Sequence, residues 1–125
     1  MKLHGAPAVL ASSGRLEQVL VNLIINAVQA MPPDRSVDKN LVQIFWERVG
    51  ERVVLTVRDN GVGIPRELVG RIFEPFFTTK PVGVGTGLGL SICHGLVTQL
   101  GGNLEVSSEQ GQGTTVRVAL RPAVA

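Results

Sequence analysis

Asn22 and Asn26 stand four residues apart in the run Asn22-Leu23-Ile24-Ile25-Asn26-Ala27, a spacing that stacks two side chains one turn apart on the same face of a helix. Asparagine is a middling helix former, so two stacked amides in an otherwise apolar helix require polar partners. A magnesium ion bound to phosphates would supply them, because this ion keeps several waters and takes few protein oxygens. Neighbouring loop ends, capped by the two amides, would supply them as well. A second segment, Asp59-Asn60-Gly61-Val62-Gly63-Ile64-Pro65, follows a run of strand character. Its glycines and proline read as a turn that stops the strand. They also let backbone approach Asp59, which suits a buried carboxylate accepting hydrogen bonds from a flat ligand.

The third segment is Gly83-Val84-Gly85-Thr86-Gly87-Leu88-Gly89-Leu90. Residues 85–89 would present unpaired amides at a helix N-terminus, where the dipole and free N–H groups favour phosphate. Two familiar phosphate loops are excluded. The lysine-bearing loop needs Gly-Lys, whereas Lys2, Lys39 and Lys80 follow Met, Asp and Thr. The dinucleotide pattern needs glycines where Leu88 and Leu90 stand. The fourth segment, Phe73-Glu74-Pro75-Phe76-Phe77-Thr78-Thr79-Lys80, holds three of the four phenylalanines. Clustered aromatics serve as core, and they would also anchor the base of a lid.

The elements that must position these residues follow from periodicity and breakers. From residue 15 to 31, Leu16, Val19, Leu20, Leu23, Ile24, Ala27, Val28 and Met31 recur at the three-four spacing of an amphipathic helix, ended by Pro32-Pro33. Residues 41–49 and 52–58 read as one hairpin and residues 103–108 and 114–120 as another, each pair bracketing a glycine-bearing turn. A short helix is expected at 66–72, and a longer one from about 88 to 100, capped by Gly101-Gly102. Hairpins with one-sided helices predict an α+β fold: a two-layer α/β sandwich whose mixed, mainly antiparallel sheet is covered on one face by helices.

Composition narrows the function classes. The length suits one domain. With 44% hydrophobic and 18% charged residues, and no apolar run long enough to span a bilayer, a soluble domain without membrane contact is expected. The first seven residues lack the apolar stretch of a secretory signal, so a cytoplasmic location is expected. The single cysteine, Cys93, excludes an internal disulfide and a multi-cysteine zinc site. A net charge of +2, with signs alternating and the five aromatics not interleaved with basic residues, argues against a nucleic-acid partner. Of the fifteen glycines, seven (Gly83, Gly85, Gly87, Gly89, Gly95, Gly101 and Gly102) crowd one stretch, the usual sign of positive φ or of backbone close to a ligand.

Taken in order, the asparagine run, Asp59-x-Gly61-x-Gly63, Phe73-x-Pro75-Phe76, residues 85–90 and Gly111-Gln112-Gly113-Thr114 resemble the ATP-binding catalytic domain of bacterial sensor histidine kinases over nearly the whole chain. Residues 26–31 and 77–80 are most similar to the nitrogen-regulator type. The resemblance implies the sandwich shared with gyrase, the heat-shock chaperone and mismatch-repair ATPases, with ATP and Mg²⁺ as cofactors. It implies that Asn26 holds the metal and that Asn22 lies toward the phosphates. Asp59 would accept the adenine amino hydrogen, beside Gly61, Gly63 and Ile64. Gly85, Thr86, Gly87, Leu88 and Gly89 would supply lid hinge and phosphate-contacting amides, with Thr79 and Lys80 in the lid and Thr114 near the adenine. Lys80 would be the mobile cation at the γ-phosphate, or else a solvated loop lysine.

In the superfamily's ATP hydrolases the position matching Asn22 is a glutamate general base; an amide has no basic lone pair of useful pKa, so weak hydrolysis is expected. The resemblance instead implies γ-phosphoryl transfer to a histidine of a separate dimerisation and phosphoacceptor hairpin in the parent kinase, and onward to a response regulator receiver domain. His4 and His94 lack the acceptor's sequence context, so the chain is expected to be residues 1–125 of a longer sensor, monomeric in isolation. His94 is expected to serve packing or the surface, and Cys93 to be a small buried hydrophobe. Two alternatives stand beside this reading: a serine kinase of the anti-sigma type, which shares the fold but would usually lack the phenylalanine box, and a nucleotide-gated binding module without transfer.

Overall fold

The computed structural model describes residues 13–74 and 89–121. Helix α1 spans Ser13–Gln29, strand β1 Val42–Val49, β2 Arg52–Asp59, helix α2 Gly89–Gln99, β3 Asn103–Glu109 and β4 Gly113–Leu120. Short 3-10 helices occupy Val37–Lys39 and Arg66–Arg71, the second where the sequence predicts a short helix. Helix α1 stops two residues before the predicted end. The Ala30 and Met31 amides close a last turn onto Asn26 and Val28, and prolines 32 and 33 permit no continuation. Among the described residues no helix is long and apolar enough to cross a membrane.

The four strands form one sheet in the order β1-β2-β4-β3, so the two hairpins join through β2 and β4. The sequence predicts a mixed, mainly antiparallel sheet; among the described residues all three ladders are antiparallel. Side chains alternate across a strand, and the register sorts them cleanly. Trp46, Leu55, Val118 and Leu104 form one cross-strand row, Ile44, Val57, Val116 and Val106 the next. Both rows face the helices. Leu55, Val57, Val116, Val118 and Leu104 join one apolar cluster with Val19, Leu20, Leu23 and Ala27 of α1 and Cys93 and Val97 of α2. Burying each large aliphatic chain in such a layer contributes about 1.5–3 kcal/mol. The intervening positions Gln43, Glu47, Arg58, Arg117 and Glu105 face the other way and are exposed, while Val54 and Thr56 of the central strand β2 are buried on that face too.

Helix α2 ends on Gly101 at φ +74°. The Gly102 amide donates to the Val97 carbonyl at 2.9 Å and the Gly101 amide to that of Thr98 at 3.0 Å, the paired bonds of a Schellman cap. This stop turns the chain straight into β3. At the other end of the sheet the row Val42, Asp59, Thr114 and Ser108 lies on the helix-facing side. The C-terminus of α1 arrives at the same place, because the Val62 amide donates to the Ala30 carbonyl at 2.9 Å.

Candidate functional site

Asp59 closes β2 and is 8% exposed. The Gly61 and Thr114 amides donate to its Oδ1 at 2.8 and 3.3 Å. Among the described residues no donor reaches its Oδ2. Burial pushes the carboxyl above its ordinary value, and the two amide bonds oppose the shift without cancelling it. The result is a carboxylate fixed in orientation by one oxygen, with the other left to accept a hydrogen bond. Ser108 holds the neighbouring strand ends together. Its hydroxyl donates to the Gly113 carbonyl at 3.0 Å and accepts from the Ile64 amide at 2.8 Å. With that proton committed, the 2.8 Å contact with Thr114 is a bond donated by the Thr114 hydroxyl.

The glycines around Asp59 are required by the protein's own packing. A Cβ on Gly61 would stand 2.6 Å from the Ala30 carbonyl oxygen. Gly63, at φ +73°, has the Glu109 carbonyl where a Cβ would go, and Gly113, at φ +124°, has that of Asp59. These are left-handed or mirror-extended conformations that only glycine adopts without strain. The loop after Asp59 is therefore seated against α1 on one side and the β3–β4 turn on the other. The Gly111 amide, donating to the Val62 carbonyl at 2.7 Å, completes the seat.

Asn22 and Asn26 lie along the half-buried edge of α1, as their spacing predicts. Asn22 faces α2, where its side chain opposes the upward push that burial gives the Cys93 thiol. Cys93 itself is 0% exposed, in line with the buried role expected of it. Asn26 follows one turn later, and its carbonyl accepts the Ala30 amide at 3.1 Å. Among the described residues no group of three or more His, Cys, Asp or Glu could enclose a metal. The amide donors of the two asparagines fit a hard, hydrated ion that takes few protein oxygens and keeps phosphate and water as its other ligands. Thr79, Lys80, Gly85, Thr86, Gly87 and Leu88 lie outside the described residues, and Gly89 is the first residue of α2. Of the phenylalanine segment, Phe73 is described: it packs on the core, its ring stacked on His94 at 4.7 Å between centroids.

Asp59, Gly61, Gly63, Ile64 and Thr114 thus form one connected group, with the asparagines on the adjoining helix. Sequence reasoning misses three contributors. Asn60 accepts from the Leu41 amide at 2.9 Å and from Arg35 at 3.1 Å, and donates to the Lys39 carbonyl at 2.8 Å, tying the long connection before β1 to the loop. Its place in an Asp-Asn-Gly turn is the one available signal. Ser108 and Ala30 carry none, because their roles arise from strand pairing and helix packing.

A family profile described as histidine kinase-, DNA gyrase B-, and HSP90-like ATPase matches residues 11–124. The chain is 43% identical over 122 residues to the sensor kinase CckA of Brucella abortus, covering 90% of this chain and 13% of that protein. It is 39% identical over 109 residues to the sensor histidine kinase ZraS of Escherichia coli, covering 87% of this chain and 22% of that protein. Full-length ShkA, solved in complex with AMPPNP, is 34% identical with a TM-score of 0.78, over 95% of this chain and 24% of that one. The chain therefore spans under a quarter of the length of these relatives. By sequence match, by the helix-covered antiparallel sheet and by the order of its boxes, the chain belongs to the histidine kinase-, DNA gyrase B-, and HSP90-like ATPase family and is a catalytic ATP-binding domain of the sensor histidine kinase kind.

Proposed function

We propose that this domain binds Mg²⁺-ATP and delivers the γ-phosphoryl group to a histidine on a helical hairpin of a longer, cytoplasmic-facing sensor kinase, which passes it to a response regulator receiver domain. The observation that carries the reading is Asp59, buried, with Oδ1 tied to two amides and Oδ2 left to accept. An adenine amino group is a donor of the required kind. The ShkA structure supports the reading, since AMPPNP is an adenine nucleotide.

Each residue would contribute by position and charge, the two things phosphoryl transfer asks of a protein. Asp59 orients the base, with Gly61, Gly63, Ile64 and Thr114 around it. Asn26 would give its side-chain oxygen to the metal, whose chemistry is to neutralise phosphate charge. Asn22 would stand toward the phosphates, and Gly85, Thr86, Gly87, Leu88, Gly89, Thr79 and Lys80 would bind them. The bond between the γ-phosphorus and the bridging oxygen breaks, a bond to the acceptor imidazole nitrogen forms, and ADP leaves. A neutral imidazole is a competent nucleophile without help. Asn22, a carboxamide, offers no general base for water, so transfer rather than hydrolysis is favoured.

The test is transfer in trans. With Mg²⁺ and γ-labelled ATP alone, the 125-residue chain should neither label itself nor release phosphate beyond a trace. Adding the separately expressed phosphoacceptor hairpin of the parent kinase should give label on the hairpin, slowly, since no tether raises the effective concentration. The product should be acid-labile and base-stable. Acid-stable label on the chain would overturn the reading in favour of a serine kinase, and brisk phosphate release without acceptor in favour of an ATPase.

A further inference from the structure

Arg35 stands just past the end of α1, and the breakers that stop the helix also aim this side chain. The Arg35 amide donates to the Pro32 carbonyl at 3.3 Å, closing a turn with Pro33 in its second position, where the ring presets the backbone. From there the guanidinium reaches the loop after β2. Its Nη1 donates to the Asn60 carbonyl oxygen at 2.7 Å and to Asn60 Oδ1 at 3.1 Å, with Met31 Sδ 4.0 Å away. Among the described residues Arg35 pairs with no carboxylate, so its permanent charge is directed at that carbonyl. The carbonyl belongs to the peptide unit whose N–H, that of Gly61, donates to Asp59 Oδ1 at 2.8 Å. In a trans peptide the C=O and N–H point in opposite directions. One planar group is thus held from both sides, by a cation behind it and a carboxylate in front.

We propose that Arg35 is a positioning residue for base recognition: through the peptide between Asn60 and Gly61 it strengthens the amide bond that fixes Asp59 Oδ1, and so holds Oδ2 as the acceptor for the adenine amino group. The role rests on the reading of Asp59 as the adenine acceptor and deepens it. A bond from a charged donor polarises the carbonyl it reaches, and the polarisation passes along the peptide to make its N–H a stronger donor. Burial works against a charged Asp59, and the Gly61 and Thr114 amides oppose it. A stronger Gly61 bond therefore favours the carboxylate, which can only accept, over the neutral acid, which can turn a donor toward the base. Asn60 keeps the arrangement from slipping. Its Oδ1 also accepts the Leu41 amide at 2.9 Å, its Nδ2 donates to the Lys39 carbonyl at 2.8 Å, and its own amide donates to the Leu41 carbonyl at 3.2 Å.

A pair of nucleotides separates positioning from mere support of the loop. Mg²⁺-ATP is compared with the triphosphate of purine riboside, which carries hydrogen in place of the adenine amino group. Arg35→Met keeps a long stem and removes the charge and the donors, whereas Arg35→Lys restores a charged nitrogen that can serve the two acceptors now shared by Nη1. Arg35→Met should bind ATP about fivefold more weakly and the purine analogue nearly as wild type does, and Arg35→Lys should recover most of the loss. In an Asp59→Asn background Arg35→Met should cost little further ATP affinity, the mark of two residues acting through one group. By nitrogen-edited NMR the Gly61 amide proton should lie downfield in wild type and move upfield in Arg35→Met. Equal losses for both nucleotides would show general loosening of the loop and overturn the positioning role. Arg35→Met with the full wild-type preference for ATP would overturn it as well, and leave the reading of Asp59 intact. A wild-type protein that binds both nucleotides alike would instead overturn Asp59 as the base acceptor, and the relay with it. Solvent-like exchange of the Arg35 Nη protons in wild type would overturn the anchor whether or not the variants fold.

Discussion

Asp59→Asn exchanges one oxygen for an NH₂ group and removes a charge while keeping the shape of the side chain. The asparagine oxygen can occupy the place of Oδ1 and keep the bonds from the Gly61 and Thr114 amides at 2.8 and 3.3 Å. Its NH₂ then stands where Oδ2 stood and faces the adenine amino group donor to donor. The variant loses a hydrogen bond to a charged acceptor, about 1.5–3 kcal/mol, and leaves a donor unpaired, about 1–3 kcal/mol more. At ~1.4 kcal/mol per tenfold, ATP affinity should fall by roughly two to four powers of ten. Titration calorimetry with ATP and GTP measures it: guanine carries an acceptor in place of the amino group, so the preference for ATP should shrink or invert in the variant. The fold should not suffer. In the wild-type protein the carboxyl is raised by burial, so the folded state holds its proton more tightly than the unfolded chain. The contribution of Asp59 to stability is greatest below the ordinary carboxylate range and is lost as pH rises through its folded value. Asparagine has no such loss, so its stability relative to wild type should rise with pH across that interval and then level off. Unchanged ATP affinity, equal wild-type affinity for GTP, or a variant that falls behind as pH rises would refute the reasoning.

Other outcomes follow from the same geometry. Asn26→Ala should weaken binding of Mg²⁺-ATP while leaving nucleotide affinity in EDTA nearly unchanged, since only the metal-dependent part is removed; titrations with and without chelator separate the two. Gly63→Ala meets both φ +73° and the Glu109 carbonyl, and should cost at least about 2 kcal/mol in chemical denaturation. Gly101→Ala meets only the φ of +74°, its nearest neighbour atom being on the Arg121 side chain at 3.5 Å, and should cost about 1 kcal/mol. A Gly101 variant as damaging as the Gly63 one would show that carbonyl crowding is not what separates them.

Elements with a period of their own are legible in the sequence. Helix α1 and both hairpins fall within two residues of where apolar spacing and glycine turns place them. Asp59, its glycines and Thr114 announce themselves by residue type. The β2–β4 ladder is not legible, because it joins strands some sixty residues apart and neither hairpin encodes which of its edges will be central. The same ladder sets Ser108 beside Thr114 and Gly113 against the Asp59 carbonyl. Residue type marks Cys93 for packing, and packing it does; its contact with the Val19 carbonyl depends on how two helices lie against each other, which no one-dimensional pattern records.

The two hairpin turns have opposite tolerances, and this matters for anyone who wishes to attach something to the domain. The β3–β4 turn is laced to the loop after Asp59 through Gly111 and Glu109, so a single inserted residue would drag Thr114 out of register with its partner. At the β1–β2 turn, by contrast, nothing lies within 4 Å of where a Gly50 side chain would begin, and neighbouring Glu51 is exposed. The length of β2 separates that turn from Asp59 by about 23 Å at ~3.3 Å per residue. A fluorophore, an epitope or a whole reporter domain grafted between Gly50 and Glu51 would ride on the rigid sheet, report on the far end, and leave the chemistry there untouched.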